Sequence, residues 1–332
     1  MARPVSEIGH RTDQRVTRTE AARRPGVRRR QGRRPAASVR DVRGVRQDAA
    51  GQDSAMTADA IWQFTDDRGQ VSSAPRWPTR VVAYMQAGAA LWDHGLLPLG
   101  VFGSFHDGAA PDRAKSGRLP LGEVTSFGAG ASFDPDRLLS AGADLVVAVS
   151  YGGGQVYGIE PDAAKRLEER LPVVVLDVGQ DRSLDEIRGR FAALAASLGG
   201  AEPPVALDAA RERLRTVATG DARVLALSPA DADRVHLARP GSWPDLRALT
   251  GLGVRMVEPP AGGGANWATV AWSQAAPLAP HLVLADARAH AAPLDTTRLG
   301  AARVIPWNPE LPASSAAHAR FFGTVAEALA DL

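Results

Sequence analysis

The sequence predicts an α/β fold of two lobes, with mainly parallel sheets, joined by one long helix. Three observations carry that reading. Short β-branched runs such as "DLVVAVS" (144–150) and "LPVVVLDV" (171–178) have the look of strands buried on both faces. Helix-like segments such as "EPDAAKRLEERL" alternate with them, which argues for α/β. One longer helical stretch, "SLDEIRGRFAALAASLGG" (183–200), divides two such alternating regions.

In order along the chain, strands are expected at 80–85, 97–103, 144–150 and 171–178 in the first lobe. The helix between the last two places Ala164, Leu167 and Leu171 on one face, with Asp162 suited to its start. In the dividing helix, Ser183 and Glu186 form a capping-box pattern. Ile187, Phe191, Leu194 and Leu198 make its apolar stripe, and Gly199-Gly200 its stop. A further helix holds Leu207, Ala210, Leu214 and Val217 in register. The second lobe then offers strands at 222–228, 235–238, 254–259, 281–286 and 302–307, and a last helix from Ser315. "RLLSAGADLVVAVS" and "QAAPLAPHLVLADA" repeat one architecture weakly across the lobes. The expected boundaries are 56–182 for the N-terminal lobe, 183–219 for the connecting helical segment and 220–332 for the C-terminal lobe.

Residues 1–55 hold 14 arginines and six acidic residues, a balance of +8; the remaining 25 basic and 31 acidic residues give −6. The pI near 9.4 therefore describes the tail more than the fold. The tail has little apolar content and reads as disordered. It is either a solvated tail, upstream sequence ahead of a start at Met56, or a basic arm for nucleic acid or anionic lipid. Aromatic residues are absent before Trp62, so base stacking is unsupported and no nucleic-acid partner is expected. Only two lysines, Lys115 and Lys165, occur among the 39 basic residues, which reads as base composition.

With no cysteine, disulfides, thiolate metal sites, thiol catalysis and a lipid-anchor cysteine are excluded. No apolar run reaches the roughly 18–20 residues of a membrane span, and no apolar core of a secretory signal follows the N-terminal arginines. As written, the chain reads as cytoplasmic, without membrane insertion. The seven histidines show no metal-ligand spacing, so no metal is expected. No nucleophile elbow, phosphate-binding loop or His-Glu-x-x-His is found, and "GAGASF" lacks the Gly-x-Gly-x-x-Gly spacing of a dinucleotide site. No cofactor is expected. An enzymatic set of Ser104, His106 and Asp107 at a strand end is the competing reading.

From Ile61 to the end, the order and spacing of several blocks resemble a known family. They are "FTDDRGQVSSAPRWPTRVVAYM", "AALWDHGLLPLGVFG", "SAGADLVVAVS" and "AWSQAAPLAPHLVLAD". The chain is similar to the helical-backbone substrate-binding proteins of ABC importers for ferric siderophores, haem and cobalamin. The resemblance implies a ligand cleft between the lobes, non-catalytic binding of a small-molecule iron chelate, and a permease partner. The family is normally extracytoplasmic.

It also implies that loops leaving strand C-termini face the ligand, where unpaired N–H groups and space for side chains occur together. In the first lobe those loops offer Tyr84 and Gln86, Phe105 and His106, Phe127, and Tyr151 beside three glycines. In the second lobe they offer Arg239 and Trp243, Asn266 and Trp267, and Trp307. Arg239 suits an anionic ligand. Each tryptophan has two readings, a ligand contact or a plug for its own lobe's core. The family's two acidic permease-docking positions fall on Asp136 and on the neutral Ser273, and a partner aspartate of the second falls on His281, so docking is weakened. An intracellular chelate-binding role is the alternative to import, and haem or cobalamin is the alternative cargo.

Overall fold

A computed structural model describes residues 61–108, 110–179 and 181–332; the arginine-rich tail 1–55 and the start at Met56 lie outside the described residues. The first lobe opens with a hairpin that sequence reading did not anticipate, β1 (Trp62–Thr65) and β2 (Val71–Ala74), paired antiparallel. Its burial alternates, so Trp62 and Phe64 face the core while their neighbours face solvent. Asp66 closes the turn by accepting from the backbone N–H of Arg68 and Gln70.

The chain then runs through β3 (Val81–Tyr84), α1 (Met85–Asp93), β4 (Gly100–Gly103), β5 (Thr125–Ala129), α2 (Pro135–Ser140), β6 (Leu145–Ser150), α3 (Pro161–Glu168) and β7 (Val173–Asp177). The sheet order is β5-β4-β3-β6-β7, all parallel. Every residue of β3, β4 and β6 is buried, as continuous apolar runs covered on both faces require. The segment 125–132, expected as a ligand-facing loop, is largely strand β5, and Phe127 is core. Its ring lies over Gly100, where a Cβ would sit 2.4 Å from the Phe127 ring and from the Thr125 carbonyl.

The helix α4 (Leu184–Ser197) carries the expected capping box: Ser183 Oγ accepts from the Glu186 N–H at 3.2 Å, and Glu186 accepts from the Ser183 N–H at 2.7 Å. Leu184 at its start packs in the second lobe's core, and Ile187, Phe191 and Leu194 pack in the first. The helix thus bridges the lobes. The next helix, α5 (Leu207–Val217), packs against the last one through the second lobe's core.

The second lobe comprises β8 (Arg223–Pro229), β9 (Arg234–Ala238), α6 (Pro244–Gly251), β10 (Arg255–Met256), β11 (Trp267–Ala271), α7 (Trp272–Ala275), β12 (Leu282–Asp286), β13 (Arg303–Trp307) and α8 (Ser315–Ala330). Its sheet runs β11-β9-β8-β12-β13, with β10 beside the start of β8. Strands β8, β10, β12 and β13 are parallel, whereas β9 and β11 pair antiparallel. The expected strand 254–259 shrinks to Arg255–Met256, because β9 takes the far end of β8. Among the described residues, no helix is long and apolar enough to cross a membrane.

Candidate functional site

A cleft of about 960 Å³ lies between the lobes, at the C-terminal ends of strands from both sheets. The first lobe lines it with His106 after β4, and with Tyr151 and Tyr157 after β6. The second lobe adds His236 on β9, Trp243 at the N-terminus of α6, Trp267 at the start of β11, and Arg288 and His290 after β12. The two walls are aromatic. Tyr151 meets Tyr157 edge-on at 4.7 Å between ring centroids, and Trp243 meets Trp267 edge-on at 5.1 Å. The rings of His106 and His290, from opposite lobes, lie 5.6 Å apart. Burial, then the nearby Arg288 charge, holds the His290 imidazole below its ordinary pKa.

Under the aromatic walls runs a buried ionic chain that crosses between the lobes. Lys115 Nζ lies 2.7 Å from Asp107 and 2.8 Å from Glu310. Glu310 also accepts from Arg288 at 3.0 Å, and Arg288 forks onto Asp286. The hydroxyl of Tyr84 donates to the second oxygen of Glu310. Burial disfavours the charged forms of Lys115 and Arg288, but the carboxylates around them outweigh it and raise both pKa values. Burial, then the Glu310 charge, raises the Tyr84 pKa well above its ordinary value, so its phenol remains a donor.

Sequence-predicted residues divide among several places. His106, Tyr151, Trp243 and Trp267 come together as cleft lining, with Asn266 beside them. Tyr84 lies beneath the cleft as the donor to Glu310. Gln86 lines a smaller chamber behind it and donates to the Leu311 carbonyl at 2.8 Å. Three further residues line neither the cleft nor the chamber. Phe105 is 49% exposed and packs beside Gly130. Arg239 donates to the carbonyls of Gly264 and Gly262, at 3.0 and 2.9 Å, and so braces the glycine-rich loop. Trp307 is a core plug whose indole N–H donates to Asp245 at 2.6 Å.

Asp136 and Ser273 are exposed, in the first turns of α2 and α7. His281 accepts from the Arg223 backbone N–H at 3.0 Å. Sequence reading missed Tyr157, His236, Arg288, His290 and Glu310. For Arg288 and His290 a signal was present: "ARAH" directly follows the strand "HLVLAD", the position that marks the other cleft loops.

The set Ser104, His106 and Asp107 does not form a nucleophile–base pair. Ser104 Oγ meets the Lys115 ammonium at 3.3 Å and the His106 backbone N–H, and Asp107 accepts from the Ser104 backbone N–H. Asp107, Asp112 and His290 bring donor atoms within 4.8 Å of one another. Lys115 already supplies the positive charge beside Asp107, and Asp112 accepts from the backbone N–H of Ala114 and of Ala289.

No family model and no curated protein sequence matches the chain. Solved structures do. The chain is similar to DesE, a ferric-siderophore receptor protein from Streptomyces coelicolor. The two are 26% identical, the match covers 81% of this chain and 97% of that one, and the TM-score is 0.72. It shares the fold of the siderophore-binding protein FhuD from Vibrio cholerae, bound to Fe³⁺-Desferal, at 17% identity, 76% and 97% coverage and TM-score 0.53. It likewise shares the fold of the periplasmic heme-binding protein RhuT from Roseiflexus sp. RS-1, at 13% identity, 76% and 98% coverage and TM-score 0.51.

Proposed function

We propose that this chain, which belongs to the helical-backbone substrate-binding proteins of ABC importers, holds a ferric siderophore-like chelate in its interlobe cleft. The observation that carries the reading is the pair of facing aromatic walls, Tyr151 and Tyr157 against Trp243 and Trp267, around about 960 Å³. That volume lies in the range of small-molecule sites, and aromatic lining suits a bulky, partly apolar ligand. The similarity to a ferric-siderophore receptor over most of both chains supports the same cargo class.

Binding is non-catalytic in this reading. The charged groups nearest the cleft are committed to one another: Arg288 is held by Asp286 and Glu310, and Lys115 by Asp107 and Glu310. They form a rigid polar floor rather than a proton-transfer pair. Delivery to an ABC permease belongs to the proposal, with docking through exposed Asp136 on the first lobe and a neutral Ser273 on the second.

Tryptophan fluorescence tests it. Saturable quenching by a ferric hydroxamate or ferric catecholate is expected, and Trp267→Ala weakens it by roughly 10- to 150-fold, since a large aromatic contact accounts for roughly 1.5–3 kcal/mol. Quenching by haem alone reassigns the cargo. Silence from all three refutes chelate binding.

A further inference from the structure

Where the segment after β4 meets the loop after β12, three metal-ligating side chains converge. Donor atoms of Asp107, Asp112 and His290 all lie within 4.8 Å of one another. The fold builds this contact from both lobes. Asp107 is fixed by the Ser104 backbone N–H at 2.6 Å. Asp112 accepts from the Ala114 N–H on one oxygen and, across the lobes, from the Ala289 N–H on the other, both at 2.9 Å. That second bond sets His290, the next residue, against the two carboxylates. The ligands come from opposite lobes, which is why no spacing in the sequence marks them.

Charge is unbalanced here. Taking the buried ionic chain together with Asp112, four carboxylates (Asp107, Asp112, Asp286 and Glu310) face two cations (Lys115 and Arg288), a balance of −2. Lys115 is shared between Asp107 and Glu310 and neutralises only one of them. Asp112 is 5% exposed and, among the described residues, its carboxylate meets backbone N–H groups and no cationic side chain. The Asp107 side chain is 3% exposed. Its Oδ1 lies 2.7 Å from the Lys115 ammonium, yet at an angle that makes no hydrogen bond, so this buried oxygen has no hydrogen-bond partner among the described residues. Buried carboxylates without full compensation are costly.

A divalent cation brings the balance to zero. A carboxylate oxygen keeps a lone pair after accepting one N–H, so both aspartates can ligate without giving up their backbone contacts. An imidazole beside two carboxylates suits Zn²⁺ and similar transition ions, which take nitrogen donors, whereas Ca²⁺ and Mg²⁺ prefer oxygen throughout. A void of about 10 Å³ borders both aspartates, room for about one water at an open coordination position. Bonds of about 2 Å to a tetrahedral ion put donors roughly 3.3 Å apart. Loading therefore draws the exposed His290 side chain inward and tightens the second lobe on the first.

We propose that Asp107, Asp112 and His290 form a resident transition-metal site that clasps the two lobes together, with Zn²⁺ the favoured ion. The ion belongs to the protein's framework and is not cargo: two of its three ligands are buried beneath the cleft, and each is tied to the backbone. The proposal stands whether or not the cleft takes a ferric chelate.

The test uses the full chain, stripped of metal on a chelating resin and free of any siderophore. Calorimetric titration with Zn²⁺ is expected to show one tight equivalent that excess Mg²⁺ does not displace. Asp112→Asn keeps the size of the side chain and removes its charge; His290→Ala removes an exposed imidazole and leaves the fold undisturbed. Each is expected to weaken that equivalent by at least about tenfold, since even the partners of metal ligands account for roughly 10–100-fold in affinity. Co²⁺ in place of Zn²⁺ gives visible absorption of the bound ion, which both substitutions abolish. Saturating Zn²⁺ raises the Tm of the parent, because it binds only the folded chain, and does so less in either variant. A parent that binds no Zn²⁺, or a tight equivalent that survives either substitution, overturns the site. Zn²⁺ that binds with the expected dependence but leaves the parent Tm unchanged overturns the clasp.

Discussion

Replacing Lys115 by methionine tests whether the buried ionic chain holds the lobes together. The Lys115 side chain has no exposed surface, and its ammonium meets Asp107 at 2.7 Å and Glu310 at 2.8 Å. Methionine keeps the apolar stem and removes the charge. Glu310 then retains Arg288 and Tyr84, but among the described residues Asp107 retains only the Ser104 backbone N–H at 2.6 Å. Removing one partner of a buried pair costs about 3–5 kcal/mol. The partners left to Glu310 place the loss near the lower end, about 3 kcal/mol, a fall of roughly 6–12 °C in Tm. Urea unfolding reads the free energy directly. Adding Asp107→Asn removes the orphaned charge and keeps an oxygen for the Ser104 N–H, so the double variant is expected to recover about 0.5–3 kcal/mol relative to the sum of the single losses. A loss under about 1 kcal/mol for Lys115→Met, or simple additivity in the double variant, refutes the reasoning. Because the Lys115 pKa is raised on folding, its contribution is complete below the unfolded value near 10.4 and fades as pH climbs through the raised one.

Two further perturbations test other parts of the molecule. His318, lowered to about 3 chiefly by burial and then by Arg188, contributes stability that is present above about pH 6.5 and lost as pH falls towards 3. Asp245, raised to about 6 chiefly by burial, contributes stability that is present below about pH 3.8 and lost as pH rises through 6. Between about pH 4 and 6 these slopes, each up to about 1.4 kcal/mol per unit, oppose one another. Asp245→Asn therefore exposes a steeper acid loss than the parent in urea unfolding between pH 6 and 4, and an unchanged slope contradicts the assignment. Gly100→Ala places a methyl 2.4 Å from both the Phe127 ring and the Thr125 carbonyl, so β5 must shift at a cost of about 1–3 kcal/mol by urea unfolding; a neutral result shows that the edge strand yields freely.

The central strands were legible because local composition reports burial on both faces, as in the all-buried "LVVAVS" of β6. The hairpin β1–β2 and the edge strands β5 and β11 were not. Strands β2, β5 and β11 dilute their four or five residues with serine, alanine or glycine, β1 is only Trp-Gln-Phe-Thr, and the edge strands are set by distant partners: Phe127 is strand because it fills the space above Gly100. The same limit divides the site. Placing ligand contacts in loops after strand ends located His106, Tyr151, Trp243 and Trp267 at the cleft. It could not say that Asp245, 62 positions away, captures the Trp307 indole, or that two glycine carbonyls capture Arg239.

The ionic chain shows why spacing fails here while residue choice still carries information. Asp107, Lys115, Arg288 and Glu310 come from loops of both lobes, Asp286 from the end of β12, and they share no motif. Yet Lys115 is one of two lysines in a chain that otherwise uses arginine. Its ammonium sits within 3 Å of two carboxylates in a fully buried position. A compact point charge with rotatable donors fits between them, whereas the planar guanidinium fork has a larger head and fixed directions. Arg288, by contrast, uses that fork on Asp286. Base composition accounts for the abundance of arginine; the geometry between Asp107 and Glu310 accounts for the exception at position 115.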